Sequence, residues 1–188
     1  MSFSLSVPSW VISQSRDYVH DVQLGHRGDG SDGTMEQAFV GVIGQNMVQL
    51  ALGRPTMRGD SGFDGGVDVE LFGLGVDVKT MGRTTDPRDE YVNNVMASQV
   101  GYESNAYLFL SFNKSSQVLT VCGWIPKELF LHRATLYRKD ELRHRSDGTT
   151  FSCKADMYEI PNASLYRDAT NWPELIVQMY HYTRLFDT

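Results

Sequence analysis

The chain has 188 residues, 41% of them hydrophobic, with 9 Phe, 9 Tyr and 3 Trp, which suits one globular domain and excludes a disordered tail. Its formal net charge of -6 means that any nucleic-acid surface has to be a local basic patch. Cys122 and Cys153 lack CxxC or paired-His spacing, which argues against a disulfide scaffold or a structural zinc site. The start has no signal-peptide pattern, and no run approaches the roughly 18 apolar residues of a membrane span. A cytoplasmic location and no membrane partner are therefore expected.

In chain order, Ser9 precedes a helix over residues 10–24, stopped by Gly25. His26 to Gly33 is a polar, glycine-rich loop. Thr34, with Gln37 at the capping-box position, opens a second helix reaching about Leu52 and ended by Gly53. A short strand is expected near Pro55 to Arg58, followed by a loop from Gly59 to Gly66. Val67-Asp68-Val69-Glu70-Leu71 and Val76-Asp77-Val78-Lys79-Thr80 then alternate apolar with charged or polar residues, the period of half-buried strands. With Phe72-Gly73-Leu74-Gly75 as connector they form a hairpin in which Leu71 meets Val76, Glu70 faces Asp77, and Asp68 faces Lys79.

Beyond the hairpin, Asp86-Pro87-Arg88-Asp89-Glu90 reads as a helix start, continued at helical spacing to Gln99. Ala106 to Phe112 and Gln117 to Cys122 read as strands joined at residues 113–116. Pro126 starts a helix carrying most of the C-terminal charge. Met157 to Ile160 is a late strand, and Asn171 with Pro173 opens a terminal helix to Tyr182.

The hairpin register places Asp68, Glu70, Asp77 and Lys79 on one face and the valines and Leu71 on the other. Three carboxylates and one ammonium on one face are costly without an answering cation, and a divalent metal is the obvious one. Asp68, followed by Asp77-Val78-Lys79 on the adjacent strand, resembles the PD-(D/E)XK nuclease superfamily, with Val67-Asp68 where the usual pattern has Pro-Asp. The order helix, strand, hairpin, helix, strand over about 34–112 also resembles that family's αβββαβ core. The expected fold is α/β and restriction-endonuclease-like: a mixed central sheet flanked by helices. Residues 1–188 then form a single domain, with the N-terminal helix at 10–24 and C-terminal additions at 113–188.

The resemblance implies a Mg2+-dependent DNA nuclease, Mn2+ substituting, that acts as an endonuclease. An exonuclease or junction resolvase, or a non-catalytic nucleic-acid binder of the same fold, is the alternative. It makes Asp68, Asp77 and the Val78 carbonyl the metal ligands and puts Lys79 beside the attacking water. By analogy with small nucleases of this fold, a homodimer is a further expectation. Glu36 lies three and four residues before Phe39 and Val40 on the inward stripe of the second helix, which makes it a candidate third ligand or catalytic residue. Glu70 and Asp64 are weaker acidic candidates. Arg83 and Arg88 just after the motif, and Arg54 and Arg58 just before it, are candidate phosphate contacts. So is the basic segment of Arg133, Arg138, Lys139, Arg143, His144 and Arg145.

Overall fold

A computed structural model describes residues 2–24, 34–57, 65–144 and 150–184. Its elements run β1 (Phe3–Ser6), α1 (Ser9–Asp21), α2 (Met35–Ala51), β2 (Val69–Leu71), β3 (Leu74–Arg83), β4 (Val92–Met96), β5 (Ala106–Asn113) and β6 (Val118–Pro126). They continue with α3 (Lys127–Arg133), β7 (Thr135–Tyr137), β8 (Leu142–His144), β9 (Thr150–Ser152), β10 (Met157–Pro161) and α4 (Trp172–Arg184). The chain is thus a mixed α/β protein. A five-stranded sheet has the order β1-β6-β5-β3-β2, parallel between β3 and β5 and antiparallel elsewhere. A second sheet has the order β4-β10-β7, and β8 pairs with β9.

The five-stranded sheet is covered on both faces, as a central strand pair in parallel requires. Every residue of β5 is buried. On one face Val76, Val78, Leu108 and Leu110 pack with Val40, Ile43 and Met47 of α2, Val11 of α1, and Leu175 and Met179 of α4. On the other, Tyr107, Phe109 and Ile125 pack with Phe130 of α3 and with Val95 and Ile160 of the second sheet. Helix α2 begins in the capping box read from Thr34 and Gln37, with Thr34 N–H donating to Gln37 Oε1 at 2.7 Å and Gln37 N–H to Thr34 Oγ1 at 3.3 Å. Its close approach to the sheet depends on Gly44, where a Cβ would lie 1.8 Å from Thr80 Oγ1.

Three local expectations are corrected. The hairpin register is Val69 to Val76, Glu70 to Gly75 and Leu71 to Leu74, two positions from the one read off the sequence. Its turn is the two residues Phe72 (φ 54°) and Gly73 (φ 83°), both in the left-handed region that a primed turn demands. Phe72 bears that strain while its ring meets Tyr180 of α4 edge-on, centroids 4.9 Å apart. A slip of two keeps every side chain on its predicted face.

The helix expected over 86–99 is instead β4 and one 3-10 turn (Ala97–Gln99). The Asp86 carboxylate accepts from Asn113 Nδ2 at 2.9 Å, and Asn93 donates to Asn162 Oδ1 at 2.7 Å within the β4–β10 pairing. Tertiary partners override the local start signal. Residues 54–57 form no strand, and Arg58 lies outside the described residues. Helix α3 ends at Arg133, so the basic residues after it sit on short strands and turns. Strand β1, whose alternation in Phe3-Ser4-Leu5-Ser6 is short, extends the sheet beyond β6. Among the described residues no helix is long and apolar enough to cross a membrane.

Candidate active site

The site is built on the hairpin. Asp68 immediately precedes β2, just beyond the last paired residues Val69 and Val76. Its Oδ2 accepts the Val78 N–H at 2.6 Å, its own N–H donates to Val76 O at 3.0 Å, and Gln49 Nε2 donates to its carbonyl at 3.1 Å. Backbone and carboxylate are therefore fixed together at an edge where β2 has ended and β3 continues.

Asp77 sits mid-sheet. The parallel register sets it beside Tyr107 of β5, on the face opposite α2. It is 2% exposed, and Lys79 Nζ lies 2.8 Å from its Oδ2. Two residues along an extended strand return to the same face, so Asp77 and Lys79 form their pair within β3. A carboxylate so buried is expensive to desolvate, and the ammonium offsets that cost in part.

Further groups surround this pair. Burial raises the Tyr107 pKa, and the Asp77 charge raises it further, so the phenol stays protonated. Lys127, the first residue of α3, donates from Nζ to the carbonyls of Tyr102 at 2.5 Å and Ser104 at 3.1 Å. Burial lowers its pKa while Asp77 pulls it back up, so the two charges interact across the site. Nothing in the sequence flagged Lys127 or Tyr107: the sheet register and a chain reversal after β6 bring them here. The only sequence trace is Pro126 before Lys127, which marks the helix start.

The other candidates are placed as follows. Glu36 is not brought to this site. Helix α2 runs antiparallel to β3, with Gln49 at Asp68, Gly44 over Thr80 and Val40 against Gly82. Glu36 is thirteen residues from Gln49, about 20 Å along the axis at 1.5 Å per residue. It is 56% exposed and pairs with Lys114 Nζ at 2.7 Å. Glu70 is exposed opposite Gly75, and Asp64 lies outside the described residues.

Arg83 donates to Val92 O at 2.8 Å and stacks over Tyr91 at 4.6 Å, and burial lowers its pKa. It braces β3 against β4. Arg88 is exposed near Glu90, at 3.9 Å, and Arg54 donates to Glu70 O at 3.0 Å. In the C-terminal segment Arg138 pairs with Asp156 at 2.8 Å. Arg143 pairs with Glu159 at 3.0 Å beneath the Tyr137 ring, and Arg133 donates to Ser164 O. Lys139 and His144 are exposed, and Arg145 lies outside the described residues. Much of the basic density is thus answered internally.

Comparison with known proteins gives no match to any family model, curated protein or solved structure.

Proposed function

We propose that this protein is a Mg2+-dependent DNA nuclease, an endonuclease built on a PD-(D/E)XK-like core. The observation that carries the reading is Asp68 anchored on the Val78 N–H at 2.6 Å, next in sequence to Asp77, whose carboxylate holds Lys79 at 2.8 Å. Part of the element order supports it: α2, the β2–β3 hairpin and a β5 parallel to β3 fall in the family's order, while residues 54–57 form no strand before the hairpin and β4 and a 3-10 turn stand where the family has its second helix.

The donor set fits a small hard cation. Among the described residues no group of three or more His, Cys, Asp or Glu is gathered for a metal. Mg2+, however, takes one or two carboxylates and keeps the rest of its shell in water and substrate phosphate oxygens. Asp68 and Asp77 would hold it, with the Val78 carbonyl beside them at the strand edge. When bound it supplies phosphate polarisation and a water of lowered pKa.

The chain's own groups do the rest. The Val78 N–H and the Gln49 amide fix Asp68, so no reorganisation precedes substrate binding. Lys79, whose side chain is 21% exposed, reaches from the buried carboxylate towards solvent. There its ammonium stabilises the charge that builds on a phosphorane. In this role it acts as an electrostatic group.

Incubation of supercoiled plasmid with the protein, with Mg2+, Mn2+ or EDTA, tests this. Metal-dependent nicking lost in Asp68→Asn and Asp77→Asn is expected. Intact plasmid under every metal condition, or undiminished nicking by both variants, overturns the reading.

A further inference from the structure

The Lys127 side of the site carries groups that the carboxylate–lysine motif does not use. Pro126 closes β6 opposite Ala106, so Lys127 emerges at the end of the sheet beside the row of Asp77 and Tyr107. Its Nζ is held by the Tyr102 and Ser104 carbonyls, which occupy two of an ammonium's three donors. Behind it lie two buried hydroxyls, Ser104 at 2% and Tyr107 at 0% exposure. The Ser104 hydroxyl is beside the Tyr107 phenol, close enough to hold the phenol pKa down against burial, and neither meets a further group among the described residues. Buried donors without acceptors cost free energy unless a ligand oxygen or water completes them. Lys127, Ser104, Tyr107, Asp77 and Lys79 form one contiguous chain of neighbours. With Asp68, their two carboxylates and two ammonium groups sum to zero, so a divalent cation would turn the site net positive towards an anion.

We propose that Lys127 is a second substrate-binding cation of this site, which takes a non-bridging phosphate oxygen of the DNA across Asp77 from Lys79. This rests on the nuclease reading and adds to it a residue from outside the motif. The carbonyl contacts hold the ammonium at a fixed point, so it binds with little loss of side-chain freedom.

Lys127 also ties down the 102–105 segment, so the test needs a readout that loosening this segment would not move. The anisotropy of a short labelled DNA strand, titrated with protein in EDTA at about 50 to 200 mM NaCl, gives the salt slope of binding. Loss of one phosphate contact lowers that slope by about 0.7 for single strands. Lys127→Met is expected to show this drop and Lys127→Arg to keep the wild-type slope. A wild-type slope in Lys127→Met, whatever its thermal stability, overturns the subsite. If that protein also nicks plasmid normally, the nuclease reading stands alone. A lowered slope in a wild-type background that never nicks DNA keeps the anion subsite and overturns the nuclease. A wild-type protein that binds no DNA overturns the subsite, and plasmid nicking with Mg2+ then decides the nuclease reading by itself.

Discussion

The Asp77–Lys79 pair makes a quantitative demand on stability that can be read without any substrate. At 2.8 Å, with side chains 3% and 21% exposed, the two charges sit between a surface pair and a fully buried one. Removing one partner of a buried pair costs about 3–5 kcal/mol, because the survivor is left uncompensated. Lys79→Met strands the more deeply buried member and should approach that range. Asp77→Asn leaves an ammonium that can swing to water on its flexible stem, which trims the cost to about 2 kcal/mol. In the double variant neither charge is stranded, so its cost should fall short of the sum by about 2 kcal/mol. Urea unfolding of the three variants in metal-free buffer, with the m-value unchanged, measures the coupling. A coupling below about 0.5 kcal/mol, the ordinary limit of additivity, would refute the buried pair. An Asp77→Asn protein more stable than wild type would refute it differently, by showing that repulsion between Asp68 and Asp77 outweighs the attraction of Lys79.

Glu36→Gln should leave nicking unchanged and shift stability by no more than about 0.5 kcal/mol, as for an exposed ion pair; a tenfold loss of nicking would return Glu36 to the site. Glu174 accepts from Thr170 N–H at 2.7 Å and its hydroxyl at 2.8 Å, and the backbone donor first, then the hydroxyl, hold its pKa below the usual 4.5. A depressed carboxylate stabilises the fold above its unfolded pKa and loses that stabilisation as pH falls through its folded one. The melting difference between wild type and Glu174→Gln should therefore be positive near pH 7 and close between about pH 5 and pH 3, and a constant gap would refute the cap.

Faces were legible in the sequence, while positions along an element were not. Alternation in β2 and β3 assigned Val69, Leu71, Val76 and Val78 to one core correctly, because a period of two depends only on the strand itself. The turn depends on more. Gly75 looked like a turn residue but lies within β3, whereas bulky Phe72 adopts a left-handed conformation against Tyr180, more than a hundred residues away. The stripe of Val40, Ile43 and Met47 likewise marked the inward face of α2. It carried no information on direction or axial offset, and those put Gln49 beside Asp68 and leave Glu36 about 20 Å further along the axis. Asp86-Pro87 had every local mark of a helix start and lost to the β4–β10 pairing.

The two-residue shift in register changes the chemistry more than the fold. In the register read from the sequence, Lys79 stood opposite Asp68 and Glu70 opposite Asp77, so the two catalytic candidates were separated and each had its own cross-strand neighbour. The tighter turn slides Glu70 out to face Gly75 and ends the pairing at Val69, so Asp68 lies just outside the ladder. The cation that compensates Asp77 comes from the same strand two residues on. Asp68 gains its own anchor in the Val78 N–H, a donor left over where β2 ends. A short β2 is therefore a condition of the site: one more paired residue would consume the Val78 N–H in the ladder and release the Asp68 side chain. It would also cover the edge of β3 on which Asp68 is anchored.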